Sequence, residues 1–350
     1  VTRTLRVAAA LVVLLLGAAA AVVLRSGVRS LDVPLKLTAP MRFKVTPGVS
    51  FAHVATELAT QGIVAQPRAW ILYARWKGLA PAVKAGEYEI QPGTTPRELL
   101  TKMVNGQVLL HSLTIVDGWR VRDLLDALRR NPDIVSTLPE QTPSSVPGAT
   151  IMTKLGAPGT DAEGQFLPET YRFIGGTTDI ELLRQAHAAL VRELDAAWMA
   201  RDQDLPLRNA NELLIMASIV QKESGLPQEL AKIAGLYLHR LSVGMRLQAD
   251  PTVIYGLGER YDGDIHTADL RTDGPYNTYT RAGLPPTPIA LAGAAVIRAT
   301  ARPEKTYALY FVASTKGDGS HIFSATLEQH NAAVAAYVAH LRKAAEGSSR

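Results

Sequence analysis

The chain has 350 residues, enough for two or three domains with cores of their own, and 47% hydrophobic against 20% charged residues exclude a disordered polypeptide. It contains no cysteine, which rules out disulfides, thiolate-held metals, iron–sulfur clusters and thiol chemistry. A formal net charge of +5 with no Lys/Arg block gives no nucleic-acid signature and leaves room for an acidic polymer of another kind.

Behind Arg3 and Arg6 comes "VAAALVVLLLGAAAAVVL", Val7 to Leu24, 18 residues without a charge. At about 1.5 Å per residue this run is just long enough to cross a bilayer core. A cleaved signal peptide competes, because Ala18 to Ala21 offer small residues. The apolar run continues past them to Leu24, which favours an uncleaved single-pass membrane anchor. Arg25 and Arg29 mirror Arg3 and Arg6, so charge alone does not orient the segment. The short start, with no second span in the roughly 325 residues that follow, favours a cytoplasmic stretch at 1–6 and a mostly exported body.

Residues 25–42, with Pro34 and Pro40, read as a connector. From Met41 a short strand, the Pro47-Gly48 turn and a helix with Phe51, Val54, Ala55 and Leu58 at helical spacing are predicted. A helix opened by Pro67, another strand, the Pro92-Gly93 turn and another helix complete a small α+β unit at 43–108. It reads either as a compact spacer or as a LysM-like carbohydrate-binding module. "HSLTIVDGWRVRDLLDALRR" adds a strand and a helix, residues 135–161 are rich in Pro, Ser, Thr and Gly and read mostly as loop, and "AEGQFLPETYRF" looks extended. A helix from Asp179 to about Ala200, a helix ending at Glu223, a buried strand in "TYALYFVAS" and a last helix from Leu327 to Ala345 follow. The expected class is therefore α+β: a transmembrane helix, a LysM-like module, and a mixed α+β domain at 109–345 carrying a glutamate on a helix.

That glutamate sits in "IMASIVQKESGL". Asn209 with Glu212 forms a capping-box pattern, and Gly225 and Pro227 stop the helix. Leu213, Met216, Ile219 and Val220 make an apolar stripe that Glu223 continues. Burial and the negative helix C-terminus both disfavour a charged carboxylate there, which suits a general acid. A solvated glutamate at a frayed end remains the plain alternative. Two loop-rich stretches, residues 244–265 and 274–290, bring Gln248, Asp250, Tyr255, Asn277 and Tyr279. Amides, hydroxyls and aromatic faces on stiff loops suit a sugar chain, and ordinary turn chemistry suits the same residues equally.

"ASIVQKES", "RLSVGMRLQADPTVIYGLGERYDGDI", "YNTYTRAGLPPTPIA", "EGQFLPETYRF" and "LYFVAS…HIFSATLEQHN" together resemble the YceG-like endolytic murein transglycosylases, in that family's order along nearly the whole chain. The resemblance implies a lyase acting on peptidoglycan glycan strands. The MurNAc–GlcNAc β-1,4 bond is cut without water, a 1,6-anhydro-MurNAc end is left, and nascent strand elongation is terminated. It implies Glu223 as acid and then base, where other glycosidases use paired carboxylates. Gln221 departs from the second acidic residue that many members carry there, which argues against any scheme in which position 221 ionises. Asp250 is expected to shape the site. Ser224 is expected to orient Glu223, Ser218 to pack, Gln248, Tyr255, Asn277 and Tyr279 to bind glycan, and Glu163 and Tyr171 to lie at its edge. Synthases of the elongation machinery are implied as partners.

No metal or cofactor is expected. The eight histidines are scattered without H-E-x-x-H, His321 and His330 lack a third ligand, and neither G-x-S-x-G nor a phosphate loop is present. A membrane-anchored peptidoglycan-binding scaffold and a muramidase-type hydrolase are the rival readings.

Overall fold

The computed structural model describes residues 25–139 and 147–348, with the isolated positions 11, 14, 18 and 22. The expected span at 7–24 lies, apart from those four positions, outside the described residues. Among the described residues no helix is long and apolar enough to cross a membrane. The architecture is mixed α+β with three separate two-stranded sheets, and it divides into two compact units.

The first unit takes residues 1–111 and 172–176. Strand β1 (Met41–Val45) pairs antiparallel with β2 (Gly86–Ile90), Phe43 opposite Tyr88. Both alternate inward and outward: Phe43, Val45, Tyr88 and Ile90 are buried while Lys44 and Glu89 face water. Between the strands run α2 (Phe51–Thr60) and α3 (Pro67–Trp76), and α4 (Pro96–Asn105) follows them. Helix α2 buries the expected Phe51, Val54, Ala55 and Leu58, and Phe51 meets Trp70 of α3 edge-on at 4.9 Å. Thr95 and Glu98 close a capping box on α4, and Gly106 ends it at φ 68°, a left-handed turn that suits glycine. Residues 25–30 are helical and form the described part of α1. Leu31 and Leu35, in the stretch read as a connector, are buried in this unit's core.

The second unit takes residues 112–171 and 177–350. Strands β3 (Leu110–Thr114) and β4 (Thr170–Ile174), whose residues are divided between the two units, pair, and α5 (Val121–Arg130) follows β3. The stretch expected as loop contains α6 (Pro147–Lys154), because Ile151 and Met152 find a buried place there. Helix α7 (Asp179–Met199) starts at a Thr178/Glu181 capping box. The centre is α8 (Ala210–Glu223), packed by α7, by α9 (Leu230–Ser242), by α10 (Asp250–Leu257) and by α12 (Ala294–Ala301). With neighbours on every side, residues 213–220 of α8 are all buried, so the expected apolar stripe is in fact a helix buried all round. Gly235 lets α9 approach residue 304: a Cβ there would stand 2.1 Å from the Glu304 carbonyl oxygen. Helix α10, within a stretch expected to be loop, starts on the Asp250-Pro251 pair, proline suiting a first turn. The five-residue α11 (Thr267–Arg271) was not expected either. Strands β5 (Tyr310–Ala313) and β6 (His321–Ser324) form an antiparallel ribbon against α13 (Leu327–Ser348). β5 is half-buried, not fully buried as expected, because a two-stranded ribbon has no second sheet to cover it.

Candidate active site

Asn209 caps α8 by accepting the Glu212 N–H at 3.0 Å. The reciprocal arm of the expected capping box is absent: Glu212 accepts instead the N–H of Arg208, at 2.7 Å, and its guanidinium. At the far end Glu223 is the last helical residue, and Ser224 is already extended at φ −144°. Termination therefore uses no left-handed glycine. Pro227 starts a 3-10 turn, Pro227–Glu229, that leads into α9.

About two turns into α9, Tyr237 comes back under Glu223 and donates a short hydrogen bond to its Oε1. Glu223 is partly exposed as a residue, but its carboxyl is withdrawn from water, which pushes its pKa up to about 7. The Tyr237 bond opposes that rise, the negative charge of Asp250 adds to it, and the Arg240 cation opposes it. Burial likewise raises Tyr237 well above the ordinary phenol value, so it stays a donor. Arg240, buried three residues after Tyr237, donates to the carbonyl of Leu309 at 2.6 Å and to that of Leu247. It ties the start of β5 and the loop before α10 to α9. Asp250, first residue of α10, is exposed and accepts a short hydrogen bond from the Tyr279 hydroxyl. Gln248 is exposed two residues earlier at φ 50°, a left-handed conformation uncommon for a side-chain-bearing residue. A carboxyl protonated near neutrality, a phenol bonded to it and an exposed second carboxylate can together hand over and take back one proton.

A second carboxyl is buried nearby along α10. Glu163 Oε1 accepts the Val121 N–H at 3.0 Å, and Tyr255 donates to Oε2 at 3.4 Å. Arg120 stacks on the Tyr255 ring at 4.8 Å. Burial pushes Glu163 up to about 7 as well, against the pull of the Val121 N–H and of Arg120.

The sequence profile of the YceG-like family matches residues 43–336. The chain belongs to the YceG-like family. An endolytic murein transglycosylase of Bacillus subtilis (strain 168) is 27% identical over an alignment 315 positions long that covers 85% of each chain. The Streptococcus pneumoniae (strain D39) protein of the same name is 26% identical over an alignment 343 positions long that covers 88% of this chain and 61% of the relative. The crystal structure of a YceG-like protein from Listeria monocytogenes, 27% identical, covers 83% of this chain and 98% of its own with a TM-score of 0.49.

In this YceG-like chain, Glu223, Asp250 and Tyr279 come together, and Glu163 with Tyr255 forms the second cluster. Ser224 is buried with its Oγ accepting the Leu226 N–H at 3.0 Å, not directed at Glu223. Asn277 is buried and its amide is spent on the loop: it donates to the carbonyls of Asp269, Leu270 and Thr272 and accepts from Tyr279 N–H. Ser218 donates to Ile215 O and accepts from Ile289 N–H, both inside the core. Gln221 accepts the N–H of Gly293 at 3.0 Å, a neutral bridge to the start of α12. Tyr171 is buried, with its hydroxyl on Leu167 O. Sequence reasoning missed Tyr237 and Arg240. Their signal was a phenol and a cation three apart on a largely apolar helix, where a buried charge has to find partners.

Proposed function

We propose that the chain is a peptidoglycan lytic transglycosylase that cuts glycan strands endolytically at the MurNAc–GlcNAc β-1,4 bond and leaves 1,6-anhydro-MurNAc ends. The observation that carries this reading is the Glu223 carboxyl, withdrawn from water to a pKa of about 7 and held by Tyr237 at the end of a buried helix. Two relatives named endolytic murein transglycosylase, aligned over most of this chain, support the substrate class.

Neutral Glu223 gives its proton to the bridging oxygen O4 of the departing GlcNAc as the C1–O4 bond breaks. The C6 hydroxyl of MurNAc bonds to C1 and returns its proton to Glu223, so the group ends as it began and no water is consumed. Tyr237 steadies the carboxylate in between, because a hydrogen bond to the charged form favours it. Asp250 shapes the site beside Tyr279, and Gln248 presents its amide to a sugar hydroxyl. Tyr255, fixed by Glu163 and Arg120, offers a ring face to a pyranose. Asn277 and Ser224 act indirectly, by holding the loops on which these groups stand.

The body works outside the cytoplasm, held to the inner membrane by residues 7–24, and residues 43–108 serve as a LysM-like module. The synthases that elongate glycan strands are its natural partners, since termination needs a growing strand. The test is Glu223→Gln on intact sacculi with mass analysis of the products. Loss of anhydro-muropeptides with folding retained supports the reading. Products heavier by one water would make the enzyme a muramidase, and an unchanged wall phenotype in the variant would make it a scaffold.

A further inference from the structure

Helix α3 has two unlike sides. Trp70 and Ala74 are fully buried in the first unit's core, whereas Leu72 and Trp76, on the opposite side, are 63% and 77% exposed. The outer side borders a groove of roughly 700 Å³ whose other wall is made by Ser26, Gly27 and Val28, with Val28 50% exposed. The two walls touch closely: a Cβ on Gly27 would stand 3.2 Å from the Ala69 Cβ.

Arg68 lines the groove, and residues next in sequence to its walls add further cations. Arg25, Arg29, Arg68, Arg75 and Lys77 are all exposed, and among the described residues none is paired with a carboxylate. No acidic residue occurs between Glu57 and Glu87. Lys77 places its ammonium 4.5 Å from the Trp76 ring centroid. An exposed tryptophan, an apolar strip and neighbouring unpaired cations are the composition of a surface that meets anionic headgroups.

The depth of this surface follows from the chain. The apolar run ends at Leu24, and Val28 is the fourth residue of the helical stretch 25–30 that follows it, about 4.5 Å along the helix from Arg25. The headgroup layer on each side of the hydrocarbon core is of similar thickness, roughly 5–7 Å. No slack intervenes: the Leu31 N–H bonds to Val28 O, Leu31 is buried, and the Arg97 N–H bonds to Leu31 O. Arg97 also pairs with Asp32 at 2.7 Å. The residues that follow the run are thus built into the unit that carries α3.

We propose that the outer face of α3, with residues 26–28, is a membrane-contact surface seated in the anionic headgroup layer, which fixes the first unit against the bilayer. This rests on the anchor reading of residues 7–24. The native chain has no cysteine, so a single nitroxide label can be placed at will. Full-length Leu72→Cys, Trp76→Cys and, as a water-facing control on α4, Thr101→Cys chains are labelled and reconstituted into phosphatidylethanolamine/phosphatidylglycerol vesicles. Collision rates with oxygen and with a water-soluble nickel chelate are then read by electron paramagnetic resonance. The ratio of oxygen to nickel accessibility should be several-fold higher at 72 and 76 than at 101. Equal ratios at the three sites overturn the proposal while the chain still floats with the vesicles. Spin–spin broadening that vanishes on dilution with unlabelled chain overturns it in favour of a second copy, and shielding that needs added glycan strands overturns it in favour of a sugar site. A chain that fails to float overturns the anchor reading together with it.

Discussion

Glu223 and Glu163 start from the same carboxyl and reach the same pKa, about 7, by the same main cause, removal from water. Their surroundings differ. Glu163 is 8% exposed and both of its oxygens are engaged, one by a backbone N–H at the first residue of α5 and one by Tyr255. Glu223 is more exposed, and Tyr237 holds Oε1 while Oε2 makes no hydrogen bond among the described residues. A raised pKa stores a proton; a free oxygen lets it leave. In the proposed mechanism Glu163 is therefore the support of Tyr255 and Arg120, and Glu223 the group that reacts.

The largest expected effect tests that distinction directly. Glu223→Gln should lower the release of anhydro-muropeptides by about 100-fold or more, the usual contribution of a positioned acid. Glu163→Gln should keep it within roughly tenfold and act mainly through KM, as a group does that positions a binding surface. Equal losses in kcat would break the comparison and bring Glu163 into the chemistry.

A smaller effect concerns stability. Each carboxyl holds its proton in the folded chain up to about pH 7, whereas the ordinary value is 4.5. Between those limits the folded state binds more protons than the unfolded one, so stability falls as pH rises, by at most about 1.4 kcal/mol per pH unit for each group. Below the window both states are protonated and the penalty vanishes. Glu163→Gln should flatten the fall in denaturation midpoint between pH 4.5 and 7. An unchanged slope would mean that Glu163 does not share the condition of Glu223.

Tyr237→Phe comes next in size. The phenol favours the carboxylate, so its loss should raise the Glu223 pKa and move the alkaline limb of kcat/KM upward, by about one pH unit. A limb that stays in place while activity falls would make Tyr237 a packing residue only.

What could be read beforehand follows the range of the interactions involved. The ends of α8 come from local chemistry, Asn209 at one side and the Ser-Gly-Leu-Pro stretch at the other, and the sequence carries them. In the first unit, alternation in β1 and β2 and helical spacing in α2 were equally legible. Tyr237 was not, because its partner is 14 residues away and the pairing depends on how α9 folds back on α8. Asn277 by its residue type and Ser224 by its place beside Glu223 suit a site, yet nearby backbone claims their polar atoms, a competition that composition does not reveal. Helix α10 was hidden by its shortness: eight residues beginning Asp-Pro look like a turn until Pro251, Thr252 and Val253 find a buried place.

The smallest expected effect sharpens the comparison from the outside. The negative charge of Asp250 raises the Glu223 pKa, but Asp250 is exposed, so water screens the interaction. Asp250→Asn should lower that pKa by a few tenths of a unit, a change the size of a screened surface pair. The alkaline limb of kcat/KM then moves down, opposite in sign to the shift from Tyr237→Phe, and the move should shrink further in high salt. The Tyr279 hydroxyl can still donate to the side-chain oxygen that the amide keeps at position 250, so the loop retains its tether and kcat on the acid plateau should hold. A collapse of kcat at every pH, insensitive to salt, would instead make Asp250 a participant in bond breaking. The enzyme would then work with two carboxyls, and Glu163 would no longer be the appropriate contrast to Glu223.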